Sequence, residues 1–360
     1  MIKGNKGDWS ELYAFLKILT DGKMFTADKN LEILKDNFYI VLKIIREETD
    51  GRKSYDISKR DGNVIVNDEK KNFTDVIELE KIKNRVADIF SEMKNAKSTT
   101  FQIVLAEEAM KELHCSQIKA SNGRKADLMI VLHDKKSPKF PELGFSVKSM
   151  LGSPSTLLNA SGATNFIYRI LENENNGEKH SEPQDSLTIR DKTQYIYGTD
   201  RHLEFCGMDS DGFRKNLRKI DSNFPEIIAE IIKHYYNGKA SKISDLVECL
   251  AKDEEFCKKL DLSRNDFVFK VKRFLSDVAL GMTPKKEWDG YAKAHGGYVI
   301  VKENGEIVCY HIYNRDEFEE YLYSNTKLDT PSTTRHRFGD VYEEDGEKRI
   351  KYNLQIRFIK

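Results

Sequence analysis

An aspartate opens one apolar strand in the middle of the chain, and a lysine closes the next. Between Arg124 and Ser149 the residues read RKADLMIVLHDKKSPKFPELGFSVKS, and the next twenty, Ser149 to Tyr168, carry no charge. One residue in three of the whole sequence is charged, so a gap of that length marks a segment from which charge is kept out. Ala126–His133 and Leu143–Ser149 alternate as strands do, with Asp127 at the head of the first and Lys148 near the tail of the second. Alternation puts Asp127, Met129 and Val131 on one side of their strand. It likewise puts Glu142, Gly144, Ser146 and Lys148 together, with Leu143, Phe145 and Val147 facing the opposite layer. If the two strands are neighbours, Asp127 and Lys148 converge where the sheet splays.

A carboxylate held there can ligate Mg²⁺, a hard cation that keeps several of its waters. The lysine can position or polarise an attacking water, while the metal stabilises the charge building on a phosphate. Asp, then acid-x-Lys on the adjacent strand, is the arrangement of nucleases with the PD-(D/E)xK fold. Spacing by itself also fits a solvated strand-start aspartate and a solvated strand-end lysine. The usual acid is moreover missing, because position 146 is serine, a poor Mg²⁺ ligand. Three sources could replace it. Glu142 lies on the correct face but about 13 Å away along the strand. Glu107 and Glu108 project from a helix on the side away from its apolar stripe. Glu11 flanks the stripe of the first helix, where it could equally serve a capping box.

The elements that must position these residues can be read from periodicity and turn chemistry. GDWSELYAFLKILTDGK is a helix with Asp8 as N-cap, Gly22 beyond its end, and an apolar stripe of Trp9, Leu12, Tyr13, Phe15, Leu16 and Leu19. NFYIVLKIIREE reads as a second helix, and Tyr55–Val66 as a hairpin turning at Asp61-Gly62. Residues 75–95 and 101–114 are helical, and Ser116–Ala120 is a third strand candidate beside the two above. ENENNGEKHSEPQDS is a polar break. The pattern from Asp211 to Leu280 is helical throughout. After Pro284 come a hairpin around Asn304-Gly305, the helix RDEFEEYLY, and the strand KRIKYNLQIRFI after a turn at Asp345-Gly346. The domains expected are 1–205, N-terminal helices with a nuclease core; 206–283, mostly helical; and 284–360, a β-rich region that helps to grip DNA.

Composition excludes several classes. At 360 residues and 39% hydrophobic content the chain can bury a sizeable core. Lys+Arg and Asp+Glu are both 59, so a wholly basic surface is excluded while a local basic cleft is not. The five cysteines form no CxxC pair and no zinc-ligand spacing, as expected of reduced thiols in the cytoplasm. The start MIKGNKGDWS lacks an apolar signal core, and the neutral tract is too polar to span a membrane. No phosphate-binding glycine loop, nucleophile elbow or zinc motif points to another enzyme class.

GNKGDWSELYAFLKIL, KADLMIV, GFSVKS, LGSPSTLLNASGATNF, YLYSNTKLDTPSTTRHRFG and YNLQIRF together resemble the HpaII-type family of Type II restriction endonucleases, over essentially the whole length. The resemblance implies an α/β fold (α+β), a restriction-endonuclease-like mixed sheet flanked by helices, with a helical middle region and a β-rich C-terminal part. It also implies a Mg²⁺-dependent enzyme that cuts double-stranded DNA within a short palindrome, CCGG in the family's namesake. Asp127 carries over as metal ligand, Lys148 as the strand lysine and Glu11 as the helix acid that also ligates metal. Ser146 stands at the position of the usual acid and departs from the pattern.

The resemblance also supplies a reading of the neutral tract. A segment near phosphates cannot carry acids without repelling them, and Ser153, Ser155, Asn159 and Asn165 offer hydrogen bonds to phosphate or base edges. A helix with small residues buried against the sheet is the competing account. For base reading, Arg335, His336 and Arg337 lie in TPSTTRHRFG, and arginine recognises guanine bidentately. An extended loop there would point the two arginines in alternate directions. A symmetric site implies a homodimer, and an active enzyme requires a DNA methyltransferase in the same system, with no direct contact between them. The alternative is a sequence-specific DNA-binding protein on a nuclease fold with a degraded active site, favoured by Ser146.

Overall fold

The structure, a computed structural model, describes residues 2–57, 62–120, 126–133, 141–172, 181–184 and 186–359. Asp61 of the expected hairpin turn and 173–180 and 185 of the polar break lie outside them. In chain order the first elements are α1 (Lys6–Asp21), β1 (Lys23–Ala27), β2 (Ile33–Glu48), β3 (Gly51–Asp56), β4 (Asn63–Asp68) and β5 (Phe73–Glu78). Next come α2 (Leu79–Asn95), α3 (Val104–Glu112), β6 (Leu128–His133), β7 (Glu142–Ser149), β8 (Thr156–Leu158), β9 (Asn165–Glu172), α4 (Ile189–Gly198) and β10 (Arg201–Met208). Five helices follow: α5 (Asp211–Arg218), α6 (Phe224–Tyr236), α7 (Ile243–Ala251), α8 (Glu254–Leu260) and α9 (Arg264–Leu280). The remainder is β11 (Gly297–Val301), β12 (Ile307–His311), α10 (Arg315–Ser324), β13 (Thr326–Leu328), α11 (Thr333–His336), β14 (Val341–Glu344), β15 (Glu347–Asn353) and β16 (Ile356–Phe358).

Packing groups Met1–Ser155 with Ala292–Tyr321 in one compact unit, and Thr156–Tyr291 with Leu322–Ile359 in another. The expected segments 1–205, 206–283 and 284–360 are contiguous stretches, whereas each unit draws on separated parts of the chain. No helix among the described residues is long and apolar enough to cross a membrane.

The first unit is built around a closed ring of strands in the order β1-β12-β11-β7-β6-β2, with β2 returning to β1. The pairs β1–β12 and β11–β7 are parallel, and the other four are antiparallel. Closure removes exposed edges from these six strands. The mixed α/β architecture agrees with expectation; closure of the sheet into a barrel was not foreseen.

β2 is the largest departure, because Asn37–Glu48 was expected to be helical. It pairs with β1 through its first half and with β6 and β3 through its second, and a register shift interrupts it between Val41 and Lys43. The bulge turns strict alternation into a run in which Val41, Ile44, Ile45 and Arg46 are all buried, which imitates helical spacing. Its isoleucines and valine suit a strand with partners on both sides. β5 likewise takes residues 75–78 from the expected helix, which begins at Leu79.

α1 forms where predicted, but its cap differs. Asn5, not Asp8, is the N-cap: the Asn5 side chain accepts from the Asp8 N–H (3.0 Å), and the Asp8 carboxylate accepts from the Asn5 N–H (2.9 Å). Gly22 ends the helix in the left-handed region at φ 64°. The predicted stripe is wholly buried, packed in one core with Val41, Tyr55, Phe145, Val147 and Val299.

In the second unit α5–α9 occupy Asp211–Leu280 as expected. The expected final strand is two, β15 and β16, in different sheets (β10-β9-β15-β14 and β13-β16-β8). The Asp345-Gly346 turn has positive φ at both residues, as a tight hairpin turn requires. The neutral tract is not a helix. It contains the end of β7, β8, a single 3₁₀ turn at Gly162–Thr164 and the start of β9.

Candidate active site

Antiparallel pairing makes the head of one strand the neighbour of the tail of the next. β6 and β7 pair with Leu128 opposite Phe145, so Asp127 arrives beside Val147 and Lys148. The Asp127 N–H donates to the Phe145 carbonyl (2.8 Å), and its carboxylate accepts from the Val147 N–H (2.7 Å). Gly144 permits this close entry. A Cβ at position 144 would stand 2.7 Å from the Ala126 Cβ, so any other residue would push away the segment that carries Asp127.

α1 brings the second carboxylate. The Ser10 hydroxyl donates to the Ser149 hydroxyl (2.8 Å), which registers the helix against the end of β7 and places Glu11 at the same corner. Because the capping box belongs to Asn5 and Asp8, Glu11 has no capping duty, and the alternative assignment to it is removed. The other three candidate acids are engaged elsewhere or exposed. Glu142 forms a bidentate pair with Arg52 (3.0 Å to each oxygen), Glu107 accepts from the Ile2 N–H (2.7 Å), and Glu108 is exposed.

Lys148 leaves β7 on the same face as Ser146 and lies over the Tyr298 ring, its Nζ 5.3 Å from the centroid. β11 supplies that ring, with Tyr298 opposite Ser146 and Ile300 opposite Lys148. Ser146 is buried (7% exposed).

The electrostatics show that these groups sense one another. Burial holds the Asp127 carboxyl above its ordinary value, against the Val147 N–H and the positive charge of Lys148. Burial also raises Glu11, and the charge of Asp127 raises it further, while Lys119 opposes the shift. Burial lowers Lys148, with Asp127 and Glu11 pulling the other way. Two carboxylates that repel across a partly dry corner, beside a lysine that holds its proton less firmly than usual, can collect a cation and hold or accept a proton.

Lys119 was not anticipated. Its amine bridges Asp8 (2.8 Å) and Glu11 (2.9 Å). Burial alone would lower it, but the bonds to those two acids hold it above the usual lysine value. It lies in Ser116–Ala120, expected to be a strand. The segment has no strand geometry and is fastened instead through its backbone to Glu48 and Arg46. No signal in the local sequence singled out Lys119, because its partners lie more than a hundred residues away. Among the described residues no group of three or more His, Cys, Asp or Glu side chains is arranged to hold a metal ion.

The residues expected to touch DNA divide by exposure. Ser153 and Asn159 are exposed, and Ser155 donates its hydroxyl to the Ser149 carbonyl (3.2 Å). Asn165 is a correction: it is 1% exposed, and its amide is used inside the fold. Its NH₂ donates to Asp209 (2.9 Å) and to the His336 carbonyl (3.0 Å), and its oxygen accepts from the Asn353 amide (2.6 Å). It therefore anchors the Arg335–Arg337 turn rather than meeting a ligand. That turn is not extended as expected. Ser332 caps α11 by accepting from the Arg335 N–H (3.3 Å), and Arg337 ends it in the left-handed region at φ 54°. Arg335 and Arg337 are exposed and His336 is half-buried. A cleft of about 410 Å³ beside the turn is lined by Thr333, Thr334, Arg337, Tyr342 and Lys351 among others.

Residues 5–358 match the protein family described as HpaII restriction endonuclease. The Type II restriction enzyme HpaII of Haemophilus parainfluenzae is 42% identical over 358 residues, covering 99% of this chain and 98% of that protein. No solved structure matches.

Proposed function

Because the chain belongs to the HpaII restriction endonuclease family and is a Type II site-specific deoxyribonuclease, we propose that its cleavage centre is the corner where Asp127, Glu11 and Lys148 meet. The single observation that carries this reading is the mutual electrostatic influence of the three side chains, which come from α1, the head of β6 and the tail of β7. Restriction enzymes of this class are generally Mg²⁺-dependent, and the donor set fits that ion. Two carboxylates suffice for Mg²⁺, which retains waters in its remaining positions and does not need a cage of protein ligands.

Asp127 and Glu11 would hold the cation, which when bound supplies positive charge at the scissile phosphate. Asp127 is fixed for this by its bond from the Val147 N–H, and Glu11 by the Ser10–Ser149 contact. Lys148, favoured toward its neutral form by burial, would orient the attacking water at its Nζ and take up its proton. The Tyr298 ring beneath the amine limits the positions it can take. Ser146 is no ligand in this scheme; Glu11 does the work of the acid that is missing there. The alternative of a decayed nuclease that only binds DNA rested on Ser146, and Glu11 removes its motive.

The enzyme binds DNA, and its target under this reading is the palindrome CCGG, approached by a homodimer with Arg335 and Arg337 of each subunit toward a half-site. The reading turn is supported by the exposure of both arginines and by the Asn165 anchor beneath them. Ser153 and Asn159 are the members of the neutral tract free to meet the backbone. A companion methyltransferase protects the host site. Digestion of a mapped plasmid with Mg²⁺, followed by end sequencing, tests the target. Fragments that end at sites other than CCGG would overturn it, and loss of cutting in Asp127→Ala tests the centre.

A further inference from the structure

We propose that Lys119 is an internal counter-ion which, in the metal-free enzyme, occupies the charge position that the divalent cation takes over. It must then be displaced from Glu11 when the cation binds. This rests on the reading of Asp127 and Glu11 as the cation site. Lys119 Nζ lies 2.9 Å from Glu11 and 2.8 Å from Asp8, so the amine already neutralises one of the two carboxylates assigned to the cation.

Two features distinguish this contact from an ordinary surface ion pair. The first is the fixed base of the side chain. Arg46 and Glu48 are buried, 1% and 6% exposed, and paired at 2.7 Å. Their remaining capacity is spent on the three residues before Lys119. Arg46 donates to the carbonyls of Gln117 (2.8 Å) and Ile118 (3.1 Å). Glu48 accepts from the Ser116 N–H (3.0 Å), the Ser116 hydroxyl (2.8 Å) and the Gln117 N–H (3.1 Å). Removing a buried pair from water is costly, and here the return is a backbone that delivers Lys119 to one place. The second feature is the free tip. The Lys119 side chain is 51% exposed, so its amine can leave Glu11 for solvent without moving the clamped backbone. A fixed base with a mobile tip makes a displaceable cation. Asp8, bound to the helix cap through one oxygen and to Lys119 through the other, stays behind as its resting partner.

The experiment is calorimetric titration of Ca²⁺ into the full-length protein, without DNA, at about pH 8, well above the ordinary carboxylate range. Wild type, Lys119→Met, Lys119→Arg and Asp127→Asn are compared, with melting temperatures as the folding control. Removing an exposed pair is worth a modest factor, so Lys119→Met should tighten Ca²⁺ roughly three- to tenfold while Lys119→Arg stays within about twofold of wild type. The gain should shrink as KCl rises, since salt weakens the lysine's hold in wild type. Unchanged or weaker Ca²⁺ binding in a Lys119→Met protein of normal melting temperature would overturn the proposal. Lys119→Gln provides the same comparison if the methionine variant is unstable. Asp127→Asn should lose Ca²⁺ binding; if it binds like wild type, the cation site itself is wrong and the proposal falls with it.

Discussion

At the β6–β7 corner, Asp127, Glu11 and Lys148 are partly withdrawn from water; on the α11 turn, Arg335 and Arg337 stand in it. The same elementary interaction acts in both places with different consequences. In the corner, loss of hydration on burial displaces both acids and the base toward their neutral forms. On the turn, both guanidinium groups stand exposed to water. The supports differ as well. The corner is held by strand pairing and a helix registered through Ser10, whereas the turn is capped by Ser332 and anchored at the His336 carbonyl by the Asn165 amide. The proposed cleavage centre and the proposed reading surface therefore differ in how each treats charge.

The sharpest test of that contrast removes a corner charge. Asp127→Ala should lower cleavage by at least about a thousandfold, while specific DNA binding in Ca²⁺ persists or tightens. Near-normal cutting would end the assignment. Lys148→Ala should lose roughly a hundred- to ten-thousandfold in single-turnover rate, with no fall in melting temperature because the residue lies near a strand end.

Glu11→Gln should cost on the order of a hundredfold in cleavage and leave the melting temperature in place. The capping box belongs to Asn5 and Asp8, so helix stability does not depend on the charge of residue 11. A stability loss with intact cleavage would return Glu11 to a structural role.

On the turn, effects should be smaller and should appear in discrimination. Arg335→Ala or Arg337→Ala should lose about 1–3 kcal/mol of preference for the cognate site where guanine is contacted. A phosphate contact would instead weaken cognate and random DNA alike and flatten the salt dependence by about one unit of slope. Competition binding in Ca²⁺ at two salt concentrations separates these outcomes. If both variants keep the full cognate-to-random ratio, the reading surface is elsewhere.

The smallest effect concerns stability. Asp127 and Glu11 both have raised carboxyl values in the folded protein. Their favourable contribution is present below the unfolded value and is lost as pH rises through the folded one. Stability should therefore fall as pH rises and both acids ionise. Asp127→Asn should gain about 1 kcal/mol at neutral pH, since its oxygen can still accept from the Val147 N–H, and lose that advantage in acid. Parallel melting curves against pH check the sign.

Much of this was legible locally. The α1 stripe, the Asp127 and Lys148 strands, the α5–α9 run and the Asn304-Gly305 and Asp345-Gly346 turns followed from periodicity and turn residues, which act over a few positions. Asn37–Glu48 misled because a bulge in β2 breaks its alternation, and a bulge is a property of pairing with β6 that no single strand displays. Asn165 misled because a neutral amide in a polar tract looks free until its partners at 209, 336 and 353 are known.

The family likeness, the mixed α/β class and the pairing of an aspartate with a lysine were determined by the sequence alone, through residue types and short spacings. Tertiary structure decided that α1 brings Glu11 to the corner of Asp127 and Lys148, that Lys119 sits on it, and that six strands close into a ring. These depend on contacts between positions 11 and 119, 10 and 149, or β1 and β12. Such contacts form only when burial of a shared core outweighs the entropy of closing long loops, and that balance belongs to the whole chain rather than to any window of it.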